Sequence, residues 1–232
     1  MAYYLNNQHL LFALLTGLAP SLIWLYFWLR RDRLKPEPFG LLLLCFLLGG
    51  AMVFVAGFLQ KETKDLFTQK ELRTALWAGI EEMLKFLIFY VVAYRNRYND
   101  EVIDAAMYMI TIALGFAAIE NILYILRPGT TFNVTAGLLT GGLRFFGSTL
   151  LHTIASAFVG IVIGLAPRRA PFFFMLIGVL GATFLHSVFN LYILKNTTAS
   201  FLQVYGYLWV SAIISLIILE KLKRIRLETS PT

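Results

Sequence analysis

The chain has 232 residues, 59% of them hydrophobic and 14% charged, with a net charge of +7 and a mean hydropathy of +0.72. Soluble domains carry about 45–50% apolar and roughly 25% charged residues, so this composition excludes a soluble protein and specifies an integral membrane one. The excess positive charge then belongs to loops facing anionic lipid, with no nucleic acid implied, and a single cysteine, Cys45, excludes an internal disulfide.

A membrane-spanning helix needs about 20 mostly apolar residues, and seven runs meet that length. The first, Leu10–Leu29, has no positive segment before it and no small-residue cleavage site after it, which predicts a retained helix and not a signal peptide. Pro36 and Pro38 break the chain before the second, Phe39–Leu59. The third, Leu72–Tyr94, contains Gly79-Ile80-Glu81-Glu82-Met83-Leu84-Lys85. The fourth is Val102–Leu126, closed by Pro128-Gly129. Gly137, Gly141 and Gly142 weaken the stretch before the fifth, Leu143–Ala166, and predict a loop or a short re-entrant or interfacial segment there. Pro167 and Pro171 precede the sixth, Phe172–Leu194, and the seventh is Phe201–Leu219. The expected fold is an all-α polytopic bundle of about seven transmembrane helices. It forms a single membrane domain over residues 1–232, because no polar stretch is long enough to bury a core of its own.

Lysine and arginine positions set the orientation. With the N-terminus outside, the inner side receives Arg30, Arg31, Arg33, Lys35, Arg95, Arg97, Arg168, Arg169 and the four cations between Lys221 and Arg226. These are twelve against six on the outer side, which predicts N-out and C-in. Against this count stands the loop from Gln60 to Arg73, whose four cations alternate with Glu62, Asp65 and Glu71 as an amphipathic surface helix would.

The polar groups inside the runs are few: Glu81, Glu82, Lys85, Asp104, Glu120, Asn121, Arg144, His152, His186 and Asn190. Ionisable side chains at bilayer depth are expensive and mark function by default. At about 1.5 Å of rise per residue, Glu81 lies roughly 14 Å from the outer end of its run, Glu120 roughly 9 Å, His152 roughly 14 Å and His186 roughly 12 Å. Four helices of alternating direction therefore bring acids and imidazoles to a similar level. Lys85 is i+4 to Glu81 and i+3 to Glu82, so it can neutralise only one of the two. Asp104 and Arg144 lie near helix ends and read as interfacial or structural. Asn121 and Asn190 are donors that hydrocarbon would leave unsatisfied.

Two mechanisms suit this set. In one, neutral His152 and His186 with a carboxylate such as Glu81 hold Zn2+ or another divalent metal, and a remaining glutamate is the general base. No His-Glu-x-x-His motif is present, so a zincin site is excluded. In the other, no metal takes part: a glutamate activates water directly, and His186 with Asn190 stabilises the oxyanion. Both hydrolyse an amide within or at the edge of the membrane.

The ordered set Glu81-Glu82-x-x-Lys85, Gly115-Phe116-Ala117-Ala118-Ile119-Glu120-Asn121, His152 and His186-x-x-x-Asn190, preceded by Asp32-Arg33-Leu34-Lys35-Pro36-Glu37-Pro38, resembles the PrsW family of intramembrane proteases. That family is distantly similar to the CAAX-processing and bacteriocin-processing (Abi) membrane proteases and to the APH-1 subunit of γ-secretase. The resemblance covers about Arg30 to Asn190. It implies a multi-pass protease of the bacterial cytoplasmic membrane that cleaves a membrane-anchored protein, such as an anti-sigma factor, on its outer side. It also implies that Glu81, Glu82, Glu120, His152 and His186 form the catalytic centre, with Asn190 as part of an oxyanion-stabilising motif and Lys85 and Asn121 in support. The CAAX-type relatives have Phe-x-x-x-His where this chain has Phe116-x-x-x-Glu120, so the division of labour does not transfer. The resemblance leaves the metal and metal-free mechanisms both open.

Two readings without proteolysis use the same residues. A proton-coupled transporter would show broken helices in two symmetric halves, and no such repeat is visible. A non-catalytic scaffold, which the likeness to APH-1 allows, has no need of the full set of acids and histidines that this chain keeps.

Overall fold

A computed structural model describes residues 7–30, 35–64, 66–126, 134–167, 169–195 and 198–229; within these, side chains are described except at 7–9, 134–146, 193–202, 204 and 223–229. Among the described residues the chain forms seven α-helices and no strand: α1 (Asn7–Leu29), α2 (Phe39–Lys64), α3 (Lys70–Ile88), α4 (Asp104–Ile125), α5 (Val134–Gly164), α6 (Pro171–Lys195) and α7 (Thr198–Thr229). A π-helical turn, Phe89–Ala93, extends α3 to the end of its predicted run. Six of the seven are long and apolar enough to cross a membrane. The exception is α3, whose length suffices but which carries Lys70, Glu71, Arg73, Glu81, Glu82 and Lys85.

Two boundaries differ from expectation. The glycine-rich stretch before Leu143 is helical from Val134 onward, because backbone hydrogen bonds have no competitor in hydrocarbon and helical glycine is tolerated there. The side chain of Arg144 falls outside the described residues, as do Asp32, Arg33 and Leu34. The segment from Gln60 to Arg73 is not a separate surface helix. Its first part continues α2 to Lys64 and its last part begins α3 at Lys70, which leaves a short connection.

The bundle is built around α4. It packs against α1, α2 and α5, and every residue from Asp104 to Ala118 is buried. A helix that is apolar on every side belongs in the interior. Helices in lipid associate through close van der Waals contact, and small residues let their backbones approach. Here α2 and α4 do so reciprocally. A Cβ on Gly49 would lie 2.1 Å from the Ile112 carbonyl oxygen, and one on Gly115 would lie 1.9 Å from that of Phe46. The crossing of α4 with α5 repeats the device, since a Cβ on Gly160 would lie 2.2 Å from the Ala106 Cα. Gly115 therefore serves helix packing near Phe116. On the outside, Leu11, Ile23, Phe54, Phe58, Trp209 and Ile217 present bulky apolar side chains, as a lipid-facing surface requires.

Polar contacts fasten the end of the bundle where α2 and α4 begin. Asp104 Oδ2 accepts the backbone N–H of Asp100 at 2.9 Å and of Glu101 at 2.6 Å, which satisfies backbone donors ahead of α4. The Tyr108 hydroxyl donates to Glu37, between the two prolines, and Lys35 pairs with Asp100. The Lys35 ammonium holds the Asp100 carboxyl below its ordinary range, and that carboxylate in turn raises Lys35. Asp104 is thus structural, as the sequence predicts, and lies at the far end of α4 from Glu120.

Replacing Gly115 with valine should drive α2 and α4 apart and lower stability by about 1–3 kcal/mol or more, as overpacking does. A Cβ on Gly57 of α2 would meet nothing within 4 Å, so Gly57→Ala should leave the thermal midpoint in detergent unchanged or slightly raised. Equal midpoints for the two variants would contradict the close crossing.

Candidate active site

Four helices bring their polar side chains to one place. Glu81, Glu82 and Lys85 come from α3, Glu120 from α4, His152 from α5 and His186 from α6. The agreement in depth expected from the sequence becomes direct contact, joined by hydrogen bonds between residues as much as 104 positions apart.

Glu82 and Lys85 form the interior of the cluster, both fully buried. Lys85 Nζ donates to Glu82 Oε1 at 2.6 Å and lies 2.9 Å from His152 Nδ1. It also sits 5.1 Å from the centre of the Phe116 ring. An ammonium has only donors, so His152 Nδ1 must accept and the His152 ring proton must sit on Nε2. That proton points at Glu120 Oε2, 2.9 Å away. Glu82 Oε1 accepts a second bond, from His186 Nδ1 at 2.8 Å. The His186 proton is therefore on Nδ1, and its Nε2 carries a lone pair. These tautomers follow from the hydrogen-bond network.

Glu81 is held differently. Its Oε1 accepts a 2.7 Å bond from Gln60 Nε2 on α2. Its Oε2 is buried, has no hydrogen-bond partner among the described residues and lies 3.7 Å from His186 Nε2. Two electron-rich atoms thus face each other with no donor between them. The two imidazole rings meet edge to face with centres 4.9 Å apart. Of the two adjacent acids, Lys85 bonds Glu82 and leaves Glu81 to a neutral amide. Lys85 thus neutralises Glu82, while the partner of Glu81 carries no charge.

The donor set fits a divalent cation. One ligand atom from each of Glu81, His152 and His186 lies within 4.8 Å of the other two. In a tetrahedral zinc site with bonds of 2.0–2.1 Å, neighbouring ligand atoms are about 3.3 Å apart, close to the separation of Glu81 Oε2 from His186 Nε2. The Glu82 carboxylate behind His186 orients that imidazole as partners of metal-binding histidines do. His152 joins such a set through Nε2 only as its other tautomer, with the ring proton moved to Nδ1, so both its bond to Glu120 and the bond it accepts from Lys85 must open.

Two residues named from the sequence stand apart. Asn190 is half-buried one turn beyond His186, and among the described residues no hydrogen bond joins it to the cluster. Asn121 donates to Thr149 Oγ1 at 3.1 Å, tying α4 to α5 beneath the site. The residue that sequence reasoning missed is Gln60. It sits one position past the predicted end of the second run, where it reads as loop; the only signal for it is an amide in the first turn after an apolar helix.

Known proteins are similar to this chain over most of its length. The family model described as "PrsW family intramembrane metalloprotease" matches residues 37–218. Protease PrsW of Bacillus subtilis is 29% identical over 166 residues, covering 70% of this chain and 71% of the relative. Protease PrsW of Clostridioides difficile is 28% identical over 229 residues, covering 92% and 89%. Protease PrsW of Geobacillus kaustophilus reaches 31% over 126 residues, and this match spans little more than half of each protein, 53% and 56%. No solved structure matches the chain.

The Lys85–Glu82 pair makes an asymmetric prediction. Lys85→Met strands a buried carboxylate and should cost about 3–5 kcal/mol of stability. Adding Glu82→Gln, which removes the charge and still accepts from His186, should recover most of that loss. Thermal unfolding of the single and double variants in detergent checks this; a double variant as unstable as the single one would contradict the pairing.

Proposed function

We propose that this chain, which belongs to the PrsW family of intramembrane metalloproteases, is an endopeptidase that hydrolyses a peptide bond of a membrane-anchored protein at a site formed by Glu81, Glu82, Glu120, His152 and His186. The observation that carries this reading is the partnerless Glu81 Oε2 facing His186 Nε2 at 3.7 Å, next to a glutamate–histidine pair. The orientation inferred from lysine and arginine puts the site in the outer half of a bacterial membrane. A substrate there is a single-span protein cut near its outer edge, and a membrane-anchored anti-sigma factor fits that description.

Each side chain has a distinct task in this reading. Glu81, His186 and His152 would hold a divalent metal, most simply Zn2+, which would supply Lewis acidity toward water and the scissile carbonyl. Glu120 has a side chain 23% exposed, against 13% for Glu81 and 0% for Glu82, so it is the most open of the three acids. It takes the proton from the attacking water and returns it to the leaving amine. Glu82 accepts from His186 Nδ1 and fixes the ring with Nε2 toward the pocket. Lys85 neutralises Glu82 and limits the negative charge of the site. Asn190, without a bond to the cluster, is free to turn toward a bound substrate carbonyl, where a hydrogen bond adds to oxyanion stabilisation.

A peptide bond in a helix is shielded by its own hydrogen bonds, so the substrate must unwind before Glu120 and the histidines can reach its carbonyl. Burial of Glu82, Lys85, His152 and His186 keeps bulk water from the rest of the site.

Purified protein reconstituted with a candidate single-span substrate tests the proposal. Glu81→Ala, Glu120→Ala, His152→Ala and His186→Ala should each lower cleavage by about 10²-fold or more. A strong chelator should abolish the activity and Zn2+ restore it, with about one metal bound per chain. Cleavage that persists in all four variants sinks the protease reading. Cleavage unaffected by the chelator, with no metal bound, leaves a glutamate-only hydrolase.

A further inference from the structure

We infer that Gln60 is a positioning residue for Glu81, fixing one carboxylate oxygen so that only the other is offered to the ligand pocket. The inference rests on the metal-binding role proposed for Glu81. Gln60 Nε2 donates to Glu81 Oε1 at 2.7 Å, and Glu81 Oε2, with no hydrogen bond of its own, is the oxygen that faces His186. The carboxylate is thereby held to present one oxygen, where an unrestrained one would swing or engage through both.

The placement of Gln60 is itself fixed from two directions. Its backbone carbonyl accepts from Thr63 Oγ1 at 2.9 Å, and Thr63 Oγ1 accepts from Trp77 Nε1 at 3.0 Å. Trp77 stands four residues before Glu81 on α3, so both are on the same helix face. The last turns of α2 are therefore clipped to α3 at two successive levels, by the indole and by the glutamate. A one-turn error between these helices would break both contacts.

The chemistry of the donor matters as well. Glu82 is met by an ammonium, which neutralises it. Glu81 is met by an uncharged amide, which orients a carboxylate and leaves its charge available to a cation. The adjacent glutamates are thus given different tasks by their partners: one supports, the other binds. Residues that hydrogen-bond a metal ligand from behind typically contribute about 10–100-fold in metal affinity, and Gln60 has that relation to Glu81.

Cobalt titration of the full-length, chelator-stripped protein in detergent tests this, using Co2+ as the probe. Isothermal titration reads the affinity, and the visible d–d band reads the coordination number. Gln60→Met keeps the length of the side chain and removes its donor, and Gln60→Ala removes any steric effect of the replacement. Both should weaken Co2+ binding about 10–100-fold. Both should also reduce the visible band intensity, as the released carboxylate raises the coordination number. In a Glu81→Ala background the same substitutions should weaken binding no further, since Gln60 acts through Glu81.

Wild-type affinity and spectrum in either variant would overturn the inference. So would an equal loss in the Glu81→Ala background, which marks a merely structural role. If Gln60→Ala fails to fold, Gln60→Met carries the test alone. If wild-type protein binds no Co2+, the metal reading of Glu81 falls and this inference falls with it. If wild type binds Co2+ and cleaves substrate while the Gln60 variants match it, only the inference falls.

Discussion

The buried pair of Lys85 and Glu82 is the contact on which the site depends. Both side chains are wholly out of solvent, so neither charge is stable without the other. Each also reaches beyond its partner. Lys85 fixes the tautomer of His152 on α5, and Glu82 fixes that of His186 on α6. One ion pair inside a single helix therefore orients two imidazoles from two others. In a low-dielectric interior such a network is strong when satisfied and costly when broken. This constrains α3, α5 and α6 to one relative arrangement.

That arrangement requires the helices to sit close enough for short side chains to meet. The glycines of α2, α4 and α5 supply this. Gly49 and Gly115 bring the backbones of α2 and α4 into contact, and Gly160 does the same for α5 against α4. Glu120 is one turn and a residue beyond Gly115 on the same helix, so the closeness of this crossing sets where Glu120 stands relative to His152. Helix packing and the geometry of the polar cluster share residues here, which explains why a motif of small residues precedes the acid in the chain.

The charge pattern of the cluster separates two kinds of acid. Glu82 is neutralised by Lys85, and its Oε1 accepts from both Lys85 and His186. Glu81 and Glu120 are partly exposed, at 13% and 23%, and are met by an amide and an imidazole. Neither an amide nor a neutral imidazole cancels a carboxylate's charge, and a ligand or a base requires that charge. The neutral partner of Glu81 was invisible in the sequence because α2 runs to Lys64, past the point where hydropathy alone ends it.

The membrane class, the run boundaries of most helices and the identity of the polar cluster were all legible in the order of residues. Long apolar runs admit only helices in lipid, and ionisable groups within them are too costly to be incidental. Helical spacing showed that Lys85 could serve one glutamate and not both. It could not say which, because Lys85 reaches either at i+3 or i+4; the positions of His152 and His186 on other helices decided for Glu82. Nor could it find Gln60, whose role exists only where the end of α2 meets α3, or show that among the described residues no hydrogen bond joins Asn190 to its supposed companions. Local pattern determined what the chain could bury, while the pairing of each buried charge was left to contacts between helices far apart in sequence.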